Sequence, residues 1–291
     1  MISVVIPFYS NFSWLISALE SVYNQSYKEI EILVINDGSP LDDTDFIKVH
    51  GPFIKYFKTS NLGPGHARNL GIAASTGDYI AFLDSDDLWH PFKLERQLSF
   101  MVENNHVWSH TGYTLFNDHT NKPISVVNVS FFSGDVFLKS LISSPVATPC
   151  VMIKREILMG NPNLRFSEVM RYGQDGYFWL LLATTYKLGV LNDSLTQVRI
   201  RGTNAALKAR VYLQVKAQIW MFLTTKKEFL EKFKLIPFII KVSYFMSYFN
   251  FNIIKYIESK FNFKSGQIEF LSKIFYLPTY TLLKFYKKLF Y

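Results

Sequence analysis

At 291 residues and 49% hydrophobic content, the chain is long enough for one large domain plus an appendage and supplies an ample apolar core. A single cysteine, Cys150, excludes an internal disulfide framework, and Met1-Ile2-Ser3-Val4-Val5-Ile6-Pro7 has no basic residue ahead of its apolar run, which reads as a chain made for the cytoplasm. The net charge of +8 is uneven: residues 221–291 hold 12 Lys and 4 Glu with no Arg or Asp, while residues 1–220 are balanced.

Short apolar runs alternate with helical patterns from the start. Residues 2–8 read as a strand and 11–25 as a helix with Leu15, Leu19, Val22 and Tyr23 on one face. A strand at 31–35, a short helix at 43–49, a strand at 53–57, a helix at 64–75 and a strand at 79–83 continue the series. This βαβαβαβ order implies parallel strands with right-handed crossovers. A helix is expected at 91–104 with Leu94, Leu98, Met101 and Val102 as its core stripe. Beyond it, 107–116, 124–131 and 148–153 read as strands and 174–186 as a helix. The charge shift places a boundary near Trp220, dividing a domain at 1–220 from a tail at 221–291.

In open α/β sheets ligands bind beyond the carboxyl ends of the strands. Here those ends are polar: Pro7-Phe8-Tyr9-Ser10-Asn11, Asn36-Asp37-Gly38-Ser39-Pro40, Asn61-Leu62-Gly63-Pro64-Gly65, and Asp84. Four loops are expected to converge on one crevice. The fourth strand runs into Asp84, Asp86 and Asp87, and carboxylates this close raise each other's pKa unless a cation stands between them. Mg2+ and Mn2+ prefer such oxygen ligands. An acidic turn capping the helix that begins near Pro91 accounts for the same residues. Gly63-Pro64-Gly65-His66-Ala67-Arg68-Asn69 opens a helix whose N–H groups favour an anion, with Arg68 adding charge. Asp37 is placed to accept from a base N–H and Tyr9 to stack on the base. A nucleotide with its diphosphate explains the four loops together.

These segments resemble a family 2 glycosyltransferase with the GT-A fold. The resemblance is carried by Val4-Val5-Ile6-Pro7-Phe8-Tyr9, Asn36-Asp37-Gly38-Ser39, Gly65-His66-Ala67-Arg68-Asn69-Leu70-Gly71, the stretch 77–87, and Trp89-His90-Pro91-Phe92-Lys93-Leu94-Glu95-Arg96-Gln97. It implies a mixed α/β sheet flanked by helices, uridine contacts from Pro7, Tyr9 and Asp37, and nucleotide or donor contacts from Arg68 and Asp84. Asp86 is then the main ligand of a divalent metal, Mn2+ or Mg2+. Gly173-Gln174-Asp175 falls where the family usually carries Glu-Asp, so Gln174 replaces the glutamate and Asp175 keeps the carboxylate of the catalytic base; capping of the 174–186 helix is the competing role for Asp175. Val198-Arg199-Ile200-Arg201-Gly202-Thr203-Asn204 resembles the closing motif, with Arg201 where a histidine is common. An arginine ligates no metal, but its fork suits a diphosphate. The implied reaction is a single displacement with inversion at the anomeric carbon.

The tail adds 20 of the 49 aromatic residues. Its longest uncharged stretch, 242–254, is 13 residues, short of the roughly 20 apolar residues a spanning helix needs. Lysines interleaved with aromatics suit helices lying on an anionic membrane surface. A solvated lysine face and a nucleic-acid surface are the competing readings, the second weakened by the absence of arginine; no nucleic acid is expected. The combined expectation is a peripheral enzyme on the inner face of the cell membrane. Its donor is a UDP-sugar, its acceptor a lipid-diphosphate-linked saccharide, and its product bacterial O-antigen or capsule. The rivals are a sugar nucleotidylyltransferase, whose glycine-rich phosphate loop is missing at Pro7-Phe8-Tyr9-Ser10, and a noncatalytic nucleotide or nucleic-acid binding module.

Overall fold

The structure is a computed structural model that describes residues 1–118, 120, 122–201 and 208–290. The chain divides into two compact units. The first comprises Met1–Val136 and Pro145–Arg201, the second Phe137–Ser144 and the described residues from Lys208 onward.

In the first unit the elements run β1 (Ile2–Phe8), α1 (Phe12–Tyr23), β2 (Ile30–Asn36), α2 (Thr44–His50), β3 (Lys55–Lys58), α3 (Pro64–Ala74), β4 (Tyr79–Phe82), β5 (Leu88–Trp89), α4 (Lys93–Glu103), β6 (Trp108–Asn117) and β7 (Pro123–Val127). After α5 (Phe137–Ile142), which belongs to the second unit, come β8 (Val151–Lys154), α6 (Arg155–Gly160), α7 (Gln174–Leu182) and β9 (Gly189–Ile200). They build one mixed sheet in the order β3-β2-β1-β4-β8-β6-β9-β5, with β7 pairing Tyr113–Phe116 of β6 off this path. β1 lies parallel to β2 and β4, and β3 parallel to β2, so these four strands end on the same edge. β8 turns antiparallel to β4, β6 antiparallel to β8, and β9 parallel to β6.

Helices cover both faces. Ile2, Val4, Ile6 and Phe8 of β1 pack with Leu15, Ala18, Leu19 and Val22 of α1, Phe46 of α2, and Leu94 and Met101 of α4. On the opposite face Val5 meets α3 and Phe82 meets Trp179 of α7, which stacks on Trp108. Two-sided cover explains why the strands read as continuous apolar runs.

The parallel series expected at 2–83 forms with small shifts. A 3-10 turn at Gly51–Phe53 delays β3, and another at Thr148–Cys150 delays β8. The α4 stripe differs: Val102 is exposed, while Lys93 and Gln97 are buried with Leu94 and Met101. Gln97 reaches inward because its amide finds partners, donating to Ser109 O, Ser109 Oγ and Cys150 O. β9, the longest strand, is unforeseen in the sequence, since Asn192-Asp193-Ser194 interrupts its alternation where the β6 register shifts.

The second unit is helical. α8 (Ala209–Thr225), α9 (Lys227–Leu235), α10 (Phe238–Lys260) and α11 (Ser265–Phe290) join α5. Leu213, Ile254 and Ile268 form its core with Phe251, Phe275 and Tyr276 against them, and Tyr244 Oη donates to Leu141 O at 2.8 Å. Trp220 lies inside α8, so the charge shift falls within a helix rather than between the units. Among the described residues, no helix is long and apolar enough to cross a membrane.

Candidate active site

The four polar loops at the carboxyl edge are stitched together in order. Asp37 N donates to Phe8 O at 2.7 Å, joining the second loop to the first. The Asp37 carboxylate accepts from Leu62 N and Gly63 N, both at 2.9 Å, joining the second to the third. Arg68 of α3 donates to Asp84, joining the third to the fourth. Gly38 permits this closeness: its φ is +72° and a Cβ there would sit 2.5 Å from Asn61 N.

Asp37 is buried and holds the loop with two main-chain bonds, which leaves lone pairs of its carboxylate unused. Tyr9 stands exposed beyond β1, and Pro7 pairs with Ile35 inside the sheet. α3 begins at Gly63, φ +98°, with no side-chain cap. Gly65 lies so close to Ser167 O that a Cβ would stand 2.5 Å away. Arg68 is 5% exposed, and its Nε and Nη1 have no hydrogen-bond partner beside the Nη2 bond to Asp84. Its guanidinium carbon is 5.3 Å from the centre of the Phe166 ring.

At the end of β4 three carboxylates meet the guanidiniums of Arg68 and Arg201 and the main chain of Arg199. Asp84 pairs with Arg68, and an Asp86 oxygen lies 3.3 Å from Arg201 Nε. Asp87 accepts from Arg199 N at 2.8 Å, while Arg199 Nε donates to Asp86 O at 2.7 Å and Arg199 Nη1 to Asp118 at 2.9 Å. Burial and the neighbouring Asp84 charge push the Asp86 carboxyl up, against the pull of Arg201 and Arg199. Burial, then Asp86 and Asp84, hold the Asp87 carboxyl well above the ordinary range. These carboxylates do not cap α4, whose N-cap is Phe92 with no side-chain bond. Asp87 instead fastens the end of β9 to the end of β4.

Asp175 stands on another element, in the first turn of α7, partly exposed, and accepts from Gly176 N at 2.7 Å and from the Thr148 hydroxyl at 3.4 Å. The N-cap is Gly173, φ +71°, so Asp175 is not the cap residue. Gln174 is buried beside it and faces Gly65. Gly202, Thr203 and Asn204 of the closing motif lie outside the described residues. Sequence reasoning gave Arg199 and Asp118 no role; the signal for Arg199 was its spacing, two residues before Arg201, since alternate positions of an extended chain share a face. Arg171, whose Nη1 donates to Asn61 at 3.0 Å, had no signal.

The mixed sheet and its acidic, guanidinium-framed edge define an α/β protein of the GT-A class. The family model for Glycosyl transferase family 2 matches residues 3–160, more than half of the chain. The chain belongs to glycosyl transferase family 2. It is 44% identical over 205 residues to an uncharacterized glycosyltransferase of Rickettsia bellii, a match covering 70% of this chain and 29% of that protein. The chain thus spans about a third of the length of its Rickettsia bellii, Rickettsia felis and Rickettsia conorii relatives. It is 26% identical over 221 residues to WfgD of Escherichia coli, named a UDP-Glc:alpha-D-GlcNAc-diphosphoundecaprenol beta-1,3-glucosyltransferase, covering 75% of this chain and 83% of that one. S. aureus TarS 1–349 in complex with UDP superposes with a TM-score of 0.62 at 17% identity, covering 100% of this chain and 92% of that one, a likeness of fold.

Proposed function

We propose that this glycosyltransferase is inverting and moves a hexose or N-acetylhexosamine from a UDP-sugar to a lipid-diphosphate-linked saccharide of a bacterial surface polysaccharide, O-antigen or capsule. The observation that carries the reading is the edge where Asp84, Asp86 and Asp87 meet Arg68, Arg199 and Arg201 at the mouths of four stitched loops. UDP in the TarS complex supports the donor, and the activity for which WfgD is named supports the acceptor class. Family membership favours this over a nucleotidylyltransferase or a noncatalytic module.

Asp37, fixed by Leu62 N and Gly63 N, keeps a lone pair for a uracil N–H, and exposed Tyr9 offers a stacking face beside Pro7. The unpartnered Arg68 nitrogens and the Arg201 guanidinium give positive charge for the diphosphate. Asp175 is the base that takes the acceptor hydroxyl proton, with Thr148 fixing one oxygen of its carboxylate.

Asp84 and Asp86 suit Mg2+ or Mn2+ in their chemistry: both are hard oxygen donors, and burial, then the neighbouring Asp84 charge, raises the Asp86 carboxyl, which an added cation would offset. No trio of His, Cys, Asp or Glu converges among the described residues, so Asp86 and Asp84 would share the ion with water and phosphate oxygens. Bound there, the ion supplies Lewis-acid neutralisation of the departing diphosphate.

The second unit is the membrane-facing part of this proposal. Phe238, Phe245, Phe249 and Tyr256 of α10 are exposed and recur at intervals that place them on one stripe. α11 exposes Phe270, Ile274 and Leu277 with Lys273, Lys284 and Lys288. Held at an anionic surface, the enzyme meets a lipid-anchored acceptor at raised local concentration.

The test incubates the protein with Mn2+ and a panel of UDP-sugars, with and without a lipid-diphosphate N-acetylhexosamine, reading UDP release and product mass. Acceptor-dependent release with one sugar is expected. Failure to bind UDP overturns the donor assignment, and UDP binding without transfer to that acceptor overturns the acceptor assignment.

A further inference from the structure

Trp14 is a large aromatic outside the buried stripe of its own helix, which is Leu15, Ala18, Leu19 and Val22. It sits in the first turn of α1, where its N–H reaches Asn11 Oδ1 at 3.3 Å, and Asn11 adopts the left-handed conformation at φ +67°. The ring is only partly buried, so apolar packing alone does not account for it.

What the ring meets is positive charge. The guanidinium carbon of Arg199 lies 5.5 Å from the indole and that of Arg201 5.4 Å, within the reach of cation–π attraction, for which indole is the strongest natural partner. The two arginines differ in exposure. Arg199 is 7% exposed, bonded to Asp87, Asp86 O and Asp118, and lies 4.6 Å from the Phe116 ring as well. Arg201 follows the last residue of β9, beyond the ladder, and its side chain is 36% exposed. A long side chain in that setting loses much rotamer freedom when held in one place, so each extra contact shifts its population.

We propose that Trp14 is a positioning residue: its indole holds the Arg201 guanidinium over Asp86 and so presets the charge that receives the donor diphosphate. This rests on the UDP-sugar reading of the crevice. The first loop, through Asn11 and Trp14, thereby sets the far side of the site as well as carrying Tyr9. Arg199 is the fixed post, and Arg201, the more exposed of the two, is the guanidinium the ring helps to place.

The test is calorimetric UDP binding in Mn2+ by the full chain and by Trp14→Phe, Trp14→Leu, Arg201→Ala and the Trp14→Leu/Arg201→Ala double variant, each first checked for folding by circular dichroism. Trp14→Leu is expected to weaken UDP about threefold to tenfold, Trp14→Phe to recover part of this, and Trp14→Leu to add nothing once Arg201 is gone. Unchanged affinity in Trp14→Leu overturns the proposal. So does the same loss in both Arg201 backgrounds, which would mean that the ring acts on the ligand directly. Where Trp14→Leu does not fold, Trp14→Tyr and Trp14→Phe grade the same effect, with affinity falling in the order Trp, Tyr, Phe; equal affinities overturn it. A wild-type protein that binds no UDP overturns the donor reading itself and removes the basis of this one.

Discussion

Asp175 and Lys93 are two charged side chains with opposite surroundings. Asp175 is partly exposed, and its bonds to Gly176 N and Thr148 orient the carboxylate without enclosing it, as the proposed base role requires. Asp175→Asn keeps the shape and the Thr148 contact but removes the proposed base. Turnover is expected to fall by ~10²- to 10⁴-fold, with the UDP dissociation constant unchanged by calorimetry; near-normal turnover removes Asp175 from the base role. Lys93 is fully buried, its Nζ 3.9 Å from the Trp89 ring centre and without a hydrogen-bond partner. Burial lowers its pKa from the ordinary 10.5 to about 7. Between those values the unfolded chain holds a proton that the folded one sheds, so the wild type gains stability as pH rises from about 7 to 10.5. Lys93→Met removes the buried charge at similar volume. It is expected to stabilise by ~1–3 kcal/mol at pH 6, and by progressively less toward pH 10, in thermal melts. A benefit that grows with pH contradicts this account.

Among the elements, α3 and β9 set the site from opposite sides. α3 crosses β1 at Gly71, where a Cβ would stand 2.3 Å from Val5 Cγ1. That closeness brings Arg68 and the uncapped helix start to the carboxyl edge. Gly71→Ala is expected to cost ~1–3 kcal/mol in denaturant unfolding, with much of the loss recovered by Val5→Ala, which vacates the overlap. If Val5→Ala recovers nothing, the tight crossing is not the cause. β9 contributes through its end: Arg199 and Arg201 meet the β4 carboxylates because β9 lies parallel to β6 and reaches the acidic edge.

At the scale of the whole molecule, the first unit carries the candidate chemistry and the second the excess of positive charge. Deleting residues 221–291 would cut α8 in its last turns and strip its neighbours, so substitutions in the full chain are the cleaner probe. Lys273→Glu, Lys284→Glu and Lys288→Glu together are expected to weaken binding to phosphatidylserine-containing vesicles by at least ~10²-fold, at ~1 kcal/mol per lysine near an anionic surface. Phe245→Ser with Phe249→Ser should weaken it independently of salt. Unchanged co-sedimentation in both variants overturns the membrane role.

Much of this architecture was legible in the chain. Continuous apolar runs at β1, β2 and β4, the helical stripe Leu15, Leu19 and Val22, and the polar residues after each strand specify a parallel α/β half with a crevice at its carboxyl edge, because periodicity and burial are local properties. The acidic triplet and the Gly63-Pro64-Gly65 helix start were visible for the same reason. What the sequence could not show is who faces whom. Asp87 reads as a possible cap but anchors Arg199, 112 residues away. Lys93 and Gln97 lie outside the expected core stripe and are buried, while Val102 lies within it and is exposed. β9 was hidden because its alternation breaks where its partner bulges. Strand pattern and turn chemistry are written over a few residues, and the chain alone determined them. The pairing of guanidiniums with carboxylates, the ring of Trp14 beneath them and the loops tied by Asp37 depend on contacts distant in sequence, and only the tertiary structure decided those.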